Sequence, residues 1–435
     1  MIRRLGAATA VVAALALAAC SSAPSPAGSS MPSVVDSSAP VTITVWHGQT
    51  EDAAKAMETL AAEFTTTHPN ITVKVEPGAP TTDELKQKIA AGFVADNYPD
   101  MAYAYGSWAG VLAQSGKVLD LTEWVKEPAV GWDGLPAASR ATATVNGKVF
   151  AIPAIVGNLA VIYNKDLFDA AGIAYPNPDW SWNDFRATAL KLTNSDKKIF
   201  GTAYSVSGNE DTTWHLWPLL WQNGGEILSA DQKSAAFNSD AGVKSLEFLR
   251  AMAIDDRSMY LDQTGEKYGA LFLDGRIGMQ ISGPWNLYDL QQRKAHYGVV
   301  QLPGTNGDHQ TISGTDIWAL FDHGDANRAR ATFDFATWLT QPEQDARWNI
   351  ALGNLPLRES EKGTAAFAQF IKDYPGGDVF VDNLANAKQP RPTVAGYDEM
   401  SQQVGTAISE VLQGKGTAKE ALDRAAAASA DALAS

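Results

Sequence analysis

The chain has 435 residues, of which 45% are hydrophobic, and its formal net charge at pH 7 is −15. This acidic balance argues against nucleic acid or anionic lipid as a partner, because binding phosphates requires clustered Lys and Arg. It favours neutral or cationic ligands. Cys20 is the only cysteine, so an internal disulfide and a two-cysteine metal site are excluded.

The first residues have the pattern of an export signal. Arg3 and Arg4 precede an uncharged run of Ala, Val and Leu that is too short to span about 30 Å of hydrocarbon comfortably. The run ends Leu-Ala-Ala-Cys at Cys20, which resembles the bacterial lipobox. The resemblance implies removal of a signal peptide at 1–19 and attachment of two or three acyl chains to Cys20, enough to anchor stably. Loss of the two arginines would lower the net charge to −17.

Residues 20–40 are predicted to form a flexible tether. They are nearly all Ser, Ala, Pro and Gly after the cysteine, and such a composition cannot bury enough apolar surface to offset the entropy of ordering. The folded part is predicted to begin near Val41 and is long enough for two domains. No later segment has eighteen consecutive apolar residues, so no further membrane span is predicted.

The folded part opens with strands and helices in alternation. Residues 41–45, 71–75 and 101–105 read as strands; 57–64 and 83–92 have helical patterns. This order predicts right-handed crossovers and a mostly parallel sheet. Ligands of such sheets bind beyond the carboxyl ends of the strands, so the loops after the first and third strands are the first places to search.

Further α and β patterns follow, so that the predicted fold class is α/β. They are, in chain order, a strand at 160–163, helices at 182–194 and 240–254, a short strand at 279–281, a helix that ends near Thr340 and restarts at Pro342, and a helical end from about 400 to 434.

Four motifs resemble those of one known family. Ile-Tyr-Asn-Lys-Asp-Leu at 162–167, Gln-Asn-Gly-Gly at 222–225, Ile-Ser-Gly-Pro-Trp at 281–285 and Gly-Asn-Leu-Pro at 353–356 occur in the order and at the spacings of the family 1 extracellular solute-binding proteins, whose best-known member is the maltose-binding protein. The resemblance implies a periplasmic-binding-protein-like fold of two discontinuous α/β lobes that are joined by hinge segments and close on a ligand.

Placed by these motifs, the first lobe comprises 41–152 plus 311–355 and the second 153–310 plus 356–435. The resemblance implies a monomer without cofactor or metal, and without enzymatic activity. It would capture a carbohydrate, a mono- to trisaccharide or an amino sugar, at the extracytoplasmic face of the cell membrane. It would then deliver this cargo to the transmembrane permease subunits of an ABC importer.

A sugar site requires aromatic faces for the C–H surface of the ring and a few fixed polar groups. In the first lobe the candidates are His47 after the first strand and Tyr105, Ser107 and Trp108 after the third. The maltose-binding proteins have an Asp-Arg pair where this chain has Ser107-Trp108, which argues against maltose itself. Asp100, before the third strand, is a candidate for either ligand contact or structural capping, and His47 for either the pocket or a solvated loop.

The remaining candidates lie on the segments that cross between lobes and in the second lobe. Trp214 and Trp285 match family positions that stack on sugar, and Asn158 precedes the strand at 160–163. Gly314 offers a backbone N–H and Asp316 a carboxylate.

Arg358 and Arg391 are the cationic candidates, whose guanidinium groups suit hydroxyls or a phosphate, with an ordinary ion pair as the alternative. Four other tryptophans are predicted to be structural: Trp180, Trp182, Trp217 and Trp221.

Three other functions remain open from the sequence. Family relatives also bind glycerophosphodiesters, for which Arg358 and Arg391 would have to converge. A secreted glycoside hydrolase would need two carboxylates about 5 to 9.5 Å apart, and no motif places such a pair in the cleft. A sensor that partners a signalling receptor would keep the fold. The six histidines lack metal-ligand spacing.

Overall fold

The computed structural model describes residues 36, 38–49, 51–79 and 82–434. The predicted signal peptide at 1–19 and the predicted lipidation site at Cys20 lie outside the described residues, as does nearly all of the 20–40 tether. Across the described ranges, no helix combines the length and the apolar character that a membrane crossing requires.

The described residues form strands β1 to β14. Their bounds are β1 Val41–His47, β2 Ile71–Pro77, β3 Met101–Tyr105, β4 Thr144–Val145, β5 Lys148–Val149, β6 Ala151–Ile155, β7 Ala160–Asn164, β8 Thr202–Ser205, β9 Met259–Asp262, β10 Met279–Ser282, β11 Tyr297–Gln301, β12 Thr311–Ser313, β13 Asp316–Leu320 and β14 Ala387–Pro390.

The same residues form α-helices α1 to α18. Their bounds are α1 Glu51–Thr67, α2 Thr82–Ala95, α3 Ala109–Gln114, α4 Ala137–Thr142, α5 Lys165–Ala171, α6 Trp182–Leu192, α7 Glu210–Trp214, α8 Trp217–Gln222, α9 Asp240–Arg250, α10 Tyr268–Leu273, α11 Leu287–Gln292, α12 Ala326–Leu339, α13 Pro342–Trp348, α14 Ala365–Asp373, α15 Gly377–Asp382, α16 Tyr397–Leu412, α17 Ala418–Ala428 and α18 Ala430–Ala434.

Short 3-10 helices occupy Gly106–Trp108, Trp124–Lys126, Pro128–Val130, Trp132–Gly134, Pro284–Asn286, Ile350–Leu352, Glu359–Gly363 and Asn383–Ala385. A π-helical turn, Ala251–Asp255, continues α9.

The first lobe is built on a five-stranded sheet in the order β2-β1-β3-β13-β6. The predicted parallel arrangement is confirmed for β2, β1 and β3, whereas β13 runs antiparallel to both of its neighbours. Helix α1 covers this sheet because Met57, Leu60 and Phe64 share one face and are completely or almost completely buried.

The second lobe contains a three-stranded antiparallel sheet, β10-β7-β11, and the parallel pair β8 and β9. Helix α6 begins at Ser181, whose hydroxyl accepts from the Asp184 N–H while the Asp184 carboxylate accepts from the Ser181 N–H, a capping box. The four tryptophans predicted to be structural, Trp180, Trp182, Trp217 and Trp221, are all buried in the core of this lobe.

The chain crosses between the lobes on adjacent segments. The Gly314 N–H donates to the Gly157 carbonyl at 2.8 Å, and Asn158 pairs with Ser313. Strand β6 stays in the first sheet as far as Ile155, and β12 pairs with β14 of the second lobe. The two crossings therefore lie a few residues beyond the predicted boundaries at 152 and 311.

The two lobes are in direct contact. Lys86 of α2 forms an ion pair with Asp398 of α16 at 2.6 Å, and the Tyr288 hydroxyl of α11 donates to the Asp52 carboxylate of α1. The two lobes therefore touch through both α2 and α1 of the first lobe.

Candidate ligand-binding cleft

The cleft lies at the carboxyl end of the first sheet. Tyr105 ends β3 and pairs with Asp316, the first residue of β13, which in turn pairs with Ile155 at the end of β6. Gly157 follows the end of β6, and Gly314 precedes the start of β13. The two crossing segments therefore form the base of the cleft between the lobes. This is the edge of the sheet at which parallel strands present ligand-binding groups.

Two tryptophans of the second lobe stand over the crossings. The ring centroids of Trp214 and Trp285 are 5.8 Å apart with an interplanar angle of 36°. Trp285 is 42% exposed, although a large apolar ring is ordinarily covered, whereas Trp214 is 7% exposed. Trp285 therefore offers a free aromatic face, and Trp214 forms a wall beside it.

Glycine is required at position 314, but not at 157, because the ring of Trp214 approaches the backbone closely. A Cβ at position 314 would lie 2.7 Å from Cη2 of Trp214, which no ordinary contact allows. At position 157 it would lie 3.6 Å from Cζ3 of Trp285. Gly314 thus determines how close Trp214 sits to the crossing, and its N–H is already used by Gly157.

Arg391 links the lobes through charge. Its Nη1 donates to Oε1 of Glu210 at 3.4 Å, its Nη2 lies 3.7 Å from Oδ1 of Asp316, and its Cζ lies 5.1 Å from the centroid of a Trp214 ring. Burial lowers the pKa of Arg391, but Glu210 and Asp316 outweigh this effect and leave the pKa raised. The guanidinium is therefore a fixed positive charge held between two carboxylates.

The two carboxylates have different hydrogen-bond partners. Oδ2 of Asp316 accepts from the Tyr103 hydroxyl at 2.5 Å. Glu210 accepts from the Tyr397 hydroxyl at 3.0 Å and from the Ser401 hydroxyl at 2.5 Å. Burial raises the pKa of both carboxyls, and Arg391 opposes that rise.

No sequence motif indicated a pair of carboxylates in the cleft, whereas the structure places Glu210 and Asp316 on either side of Arg391. Glu210 was missed, although it stands one helical turn before Trp214 and so shares its face of α7. Tyr103 was missed as well. It lies two residues before Tyr105 on β3, and side chains at that spacing share one face of a strand, which was an available signal. Tyr397 is buried at the start of α16, and no sequence pattern identified it.

Asp100 is not a cleft residue. It precedes β3 at the opposite, amino end of the sheet and is 1% exposed. Its carboxylate accepts two hydrogen bonds from Arg328, at 2.9 and 3.0 Å, and one from the Thr44 N–H at 2.8 Å. Of the two alternatives for Asp100, the structure supports the structural one and not ligand contact, because this carboxylate is engaged within the first lobe.

Arg358 does not face the cleft either. Its three guanidinium nitrogens donate to the backbone carbonyls of Thr340, Gly131 and Val130 at 3.2, 2.6 and 2.9 Å. It therefore fixes the Glu359–Gly363 turn to the first lobe. The convergence of Arg358 with Arg391, which the glycerophosphodiester alternative requires, does not occur in this structure.

Asn158, Trp108 and His47 have structural roles in this arrangement. Asn158 is buried and bonds the Phe380 carbonyl and the Asn383 side chain at 2.9 and 2.7 Å. Trp108 is buried within a hydrophobic cluster of the first lobe and is not a free plate.

His47 is likewise buried; its Nδ1 accepts from the N–H of Gln49 at 3.1 Å, and burial lowers its pKa. It is therefore not a solvated loop histidine, and it offers no exposed surface at the rim of the cleft. The two other first-lobe candidates are Tyr105, which is half-buried at the cleft end of β3, and Ser107, which is buried in the following turn.

In the ranges that the structure describes, no group of three or more His, Cys, Asp or Glu side chains is arranged to hold a metal ion. The cleft chemistry of these residues consists of one aromatic face, one guanidinium, two carboxylates and two phenolic hydroxyls.

Comparisons with known proteins agree with this architecture. Residues 59–376 match the family described as bacterial extracellular solute-binding protein. The chain is 25% identical over 408 residues to the sn-glycerol-3-phosphate-binding periplasmic protein UgpB of Pectobacterium atrosepticum, which covers 88% of this chain and 89% of that protein.

Two solved structures are similar throughout. The cyclic alpha-maltosyl-1,6-maltose binding protein of Arthrobacter globiformis has 26% identity and a TM-score of 0.78, covering 91% of this chain and 99% of that one. UgpB of Mycobacterium tuberculosis, in complex with glycerophosphocholine, has a TM-score of 0.81 at 18% identity, covering 90% and 98%; at that identity the likeness shows the fold alone.

The family match spans most of the chain, and the two-lobed α/β fold predicted from the four motifs is confirmed. The chain belongs to the bacterial extracellular solute-binding proteins, which are substrate-binding components of ABC importers and not enzymes.

Proposed function

We propose that this chain captures a mono- to trisaccharide outside the cell and delivers it to the permease subunits of an ABC importer. The observation that carries the proposal is the exposed face of Trp285, which lies beside the Trp214, Arg391 and Asp316 group between two lobes in contact. An aromatic face with a few fixed polar groups is the combination that a sugar ring requires.

The relatives supply two ligand classes, a cyclic maltosyl saccharide and glycerol phosphates or phosphodiesters. The charges of the cleft favour the saccharide. Arg391 is already flanked by Glu210 and Asp316, so a phosphodiester would meet two carboxylates for one guanidinium. Bringing an uncompensated negative charge into a desolvated site costs free energy.

Capture is proposed to proceed by hinge closure. A sugar that touches Trp285 of the second lobe and Asp316 of the first gains contacts in the closed form that the open form lacks. A ligand shifts a conformational equilibrium only by such a difference in affinity. The permease would then recognise the closed pair of lobes.

We further propose that the protein is held at the extracytoplasmic face of the cell membrane through lipid on Cys20. Mass spectrometry of the membrane-extracted protein is expected to show an acylated N-terminal Cys20. Cys20→Ser is expected to leave the precursor uncleaved or to release the chain into the soluble fraction. An unmodified Cys20 in the membrane fraction would contradict this part of the proposal.

A thermal-shift screen followed by calorimetric titration tests the ligand class. Saccharides of one to three units are compared with glycerol 3-phosphate and glycerophosphocholine, and a ligand at 100 times its Kd adds about 2.7 kcal/mol to the folded state. A saccharide that binds, with affinity lost in Trp285→Ala, supports the proposal. Binding of glycerophosphocholine alone would overturn it.

A further inference from the structure

The charges in the cleft do not balance. Arg391 supplies one positive charge, and Glu210 and Asp316 supply two negative charges when both are ionised. Two phenols, Tyr103 and Tyr397, donate to these carboxylates, and Trp214 is followed by His215, whose Nδ1 lies 3.6 Å from Oδ1 of Asp211. Burial lowers the pKa of His47, and burial raises the pKa values of Tyr103 and Tyr397 well above the ordinary phenol value.

The two carboxylates differ in how completely they are used. Glu210 receives hydrogen bonds from Tyr397, Ser401 and Arg391, so its lone pairs are largely occupied. Asp316 receives the Tyr103 hydroxyl at Oδ2 and the backbone N–H of Gly106, while its Oδ1 lies 3.7 Å from Nη2 of Arg391, which is beyond hydrogen-bond range. The Asp316 carboxylate thus retains capacity for a further strong donor, such as an ammonium group.

The aromatic surroundings suit a cation as well. Trp285 has a free face, and Arg391 already lies over the ring of Trp214 at 5.1 Å, a cation-π arrangement within the same group of residues. Asp316 borders Arg391 on one side of this group and Trp285 borders Trp214 on the other, so a cationic ligand in the cleft has both a carboxylate and an aromatic ring available.

From these observations we infer that the cargo carries a positive charge: an amino-substituted saccharide whose ammonium group pairs with Asp316 and restores neutrality to the cleft. This inference rests on the proposed function, because it names the substrate class of the same site. Asp316 is then the residue that determines specificity, Glu210 positions Arg391, and a neutral saccharide would bind but leave the cleft with an uncompensated negative charge.

Matched sugars test the inference. Glucosamine, N-acetylglucosamine and glucose differ only in the group at one carbon, and their β-1,4-linked disaccharides differ only at the same carbon of each ring. Calorimetric titration of the purified protein at pH 7 is expected to give the free amine at least tenfold tighter binding than the hydroxyl and acetamide partners of the same skeleton. Lowering the pH is expected to weaken the amine preferentially, as Asp316 and Glu210 take up protons.

Asp316→Asn keeps the shape and the acceptor for Tyr103 but removes the charge, and is expected to abolish the preference for the amine. Asp96→Asn is the matched control: it removes the same charge from the first lobe at a side chain that is 83% exposed, and the preference should persist. Glu210→Gln is a second variant for the case in which Asp316→Asn does not fold; it removes one of the two negative charges and should lower the preference.

The outcomes separate the two proposals. Equal or weaker binding of the amine, with a neutral saccharide bound, would overturn the charged cargo and leave saccharide capture intact. An amine preference that Asp316→Asn retains would overturn the role of Asp316. Failure of every saccharide to bind, with glycerophosphocholine bound, would overturn the proposed function itself.

Discussion

The two ends of the first sheet each hold an aspartate beside an arginine, and the two pairs are built differently. At the amino end of β3, Asp100 and Arg328 form two hydrogen bonds at 2.9 and 3.0 Å, and the Thr44 N–H completes the site. At the carboxyl end, Asp316 and Arg391 stay 3.7 Å apart. Both carboxylates lie at ends of the same sheet, yet only the first holds its arginine within hydrogen-bond distance.

Both aspartates are largely buried and both face an arginine, so burial and charge do not distinguish the two pairs. What distinguishes them is whether the arginine lies within hydrogen-bond distance of the carboxylate. A bidentate pair with an added backbone donor leaves nothing for a ligand to satisfy. A wide pair shared by two lobes, beside a free aromatic face, leaves both a donor and an acceptor available. Arg358 resembles the pair at the amino end, because its three guanidinium nitrogens all donate to backbone carbonyls.

Removal of Arg358 is expected to have the largest effect on stability. Arg358→Met leaves three buried carbonyls without their donor, so the free energy of unfolding should fall by about 4 kcal/mol. The ligand Kd should stay unchanged, because Arg358 does not border the cleft. Urea denaturation and calorimetric titration of the same sample measure the two quantities. Weakened binding at unchanged stability would contradict the structural role of Arg358.

Asp100→Ala is expected to cost about 3 kcal/mol in the free energy of unfolding. The variant removes a buried carboxylate that holds Arg328 and the Thr44 N–H, and the part-exposed Arg328 can recover some solvation. Asp96→Asn, on the same lobe, serves as the control and should change stability by less than about 0.5 kcal/mol. An equal loss in both variants would show that charge, rather than the saturated site, stabilises this end.

Trp285→Ala is expected to act on binding alone. The ring is 42% exposed, so its loss should leave the free energy of unfolding nearly unchanged. Loss of the aromatic contact should weaken the ligand by about 1.5 to 2 kcal/mol, roughly 10- to 30-fold in Kd. Trp180→Ala, at a buried ring of the same lobe, is the converse control, with stability reduced. Unchanged affinity in Trp285→Ala would place the ligand elsewhere.

Asp345 and Glu361 are a buried pair of carboxylic acids outside the cleft, and they should make the stability of the protein depend on pH. Burial raises the pKa values of Asp345 and Glu361, and repulsion from Asp345 raises that of Glu361 further. The folded protein therefore holds these protons more tightly than the unfolded chain does. Stability from this pair should be highest below the ordinary carboxyl pKa and should fall, by up to about 1.4 kcal/mol per pH unit and proton, as the pH rises through the raised values.

Glu361→Gln removes one of these protons from the balance and should flatten the fall in stability between neutral and alkaline pH. Urea unfolding at several pH values measures the slope. An unchanged slope in the variant would show that the pair does not titrate as the geometry implies.

The smallest expected effect belongs to the contact between Lys86 and Asp398. Both side chains are about one-third exposed, so the pair contributes less than about 1 kcal/mol to closure. Asp398→Asn should weaken the ligand by no more than about fivefold, and the effect should vanish at high salt. A much larger loss, independent of salt, would make this contact a part of the site itself.

The sequence predicted helices and strands well, but it predicted poorly which side chains form hydrogen bonds and ion pairs with each other. The strand at 101–105 and the burial of Trp217 and Trp221 follow from short-range periodicity, which a single chain displays. The sequence left Asp100 open between ligand contact and structural capping, because its partner Arg328 is 228 residues away. Arg358 was misplaced for the same reason, since three carbonyls from distant turns converge on it.

The cleft was predicted in part. The structure brings four of the candidates, Trp214, Trp285, Asp316 and Arg391, into one connected group. Glu210 was missed because a helix of five residues gives little periodicity to read, even though its spacing from Trp214 places both on one face.

The distance between the lobes with and without cargo tests the central claim most directly. Lys55 and Gln292 are exposed and lie one turn beyond Asp52 and Tyr288, which touch across the lobes. Cys20 is the only native thiol, so a form made without it accepts spin labels only at Lys55→Cys and Gln292→Cys. We expect a broad, longer distance without cargo and a single shorter distance with a bound saccharide. A distribution that the saccharide leaves unchanged would contradict capture by closure.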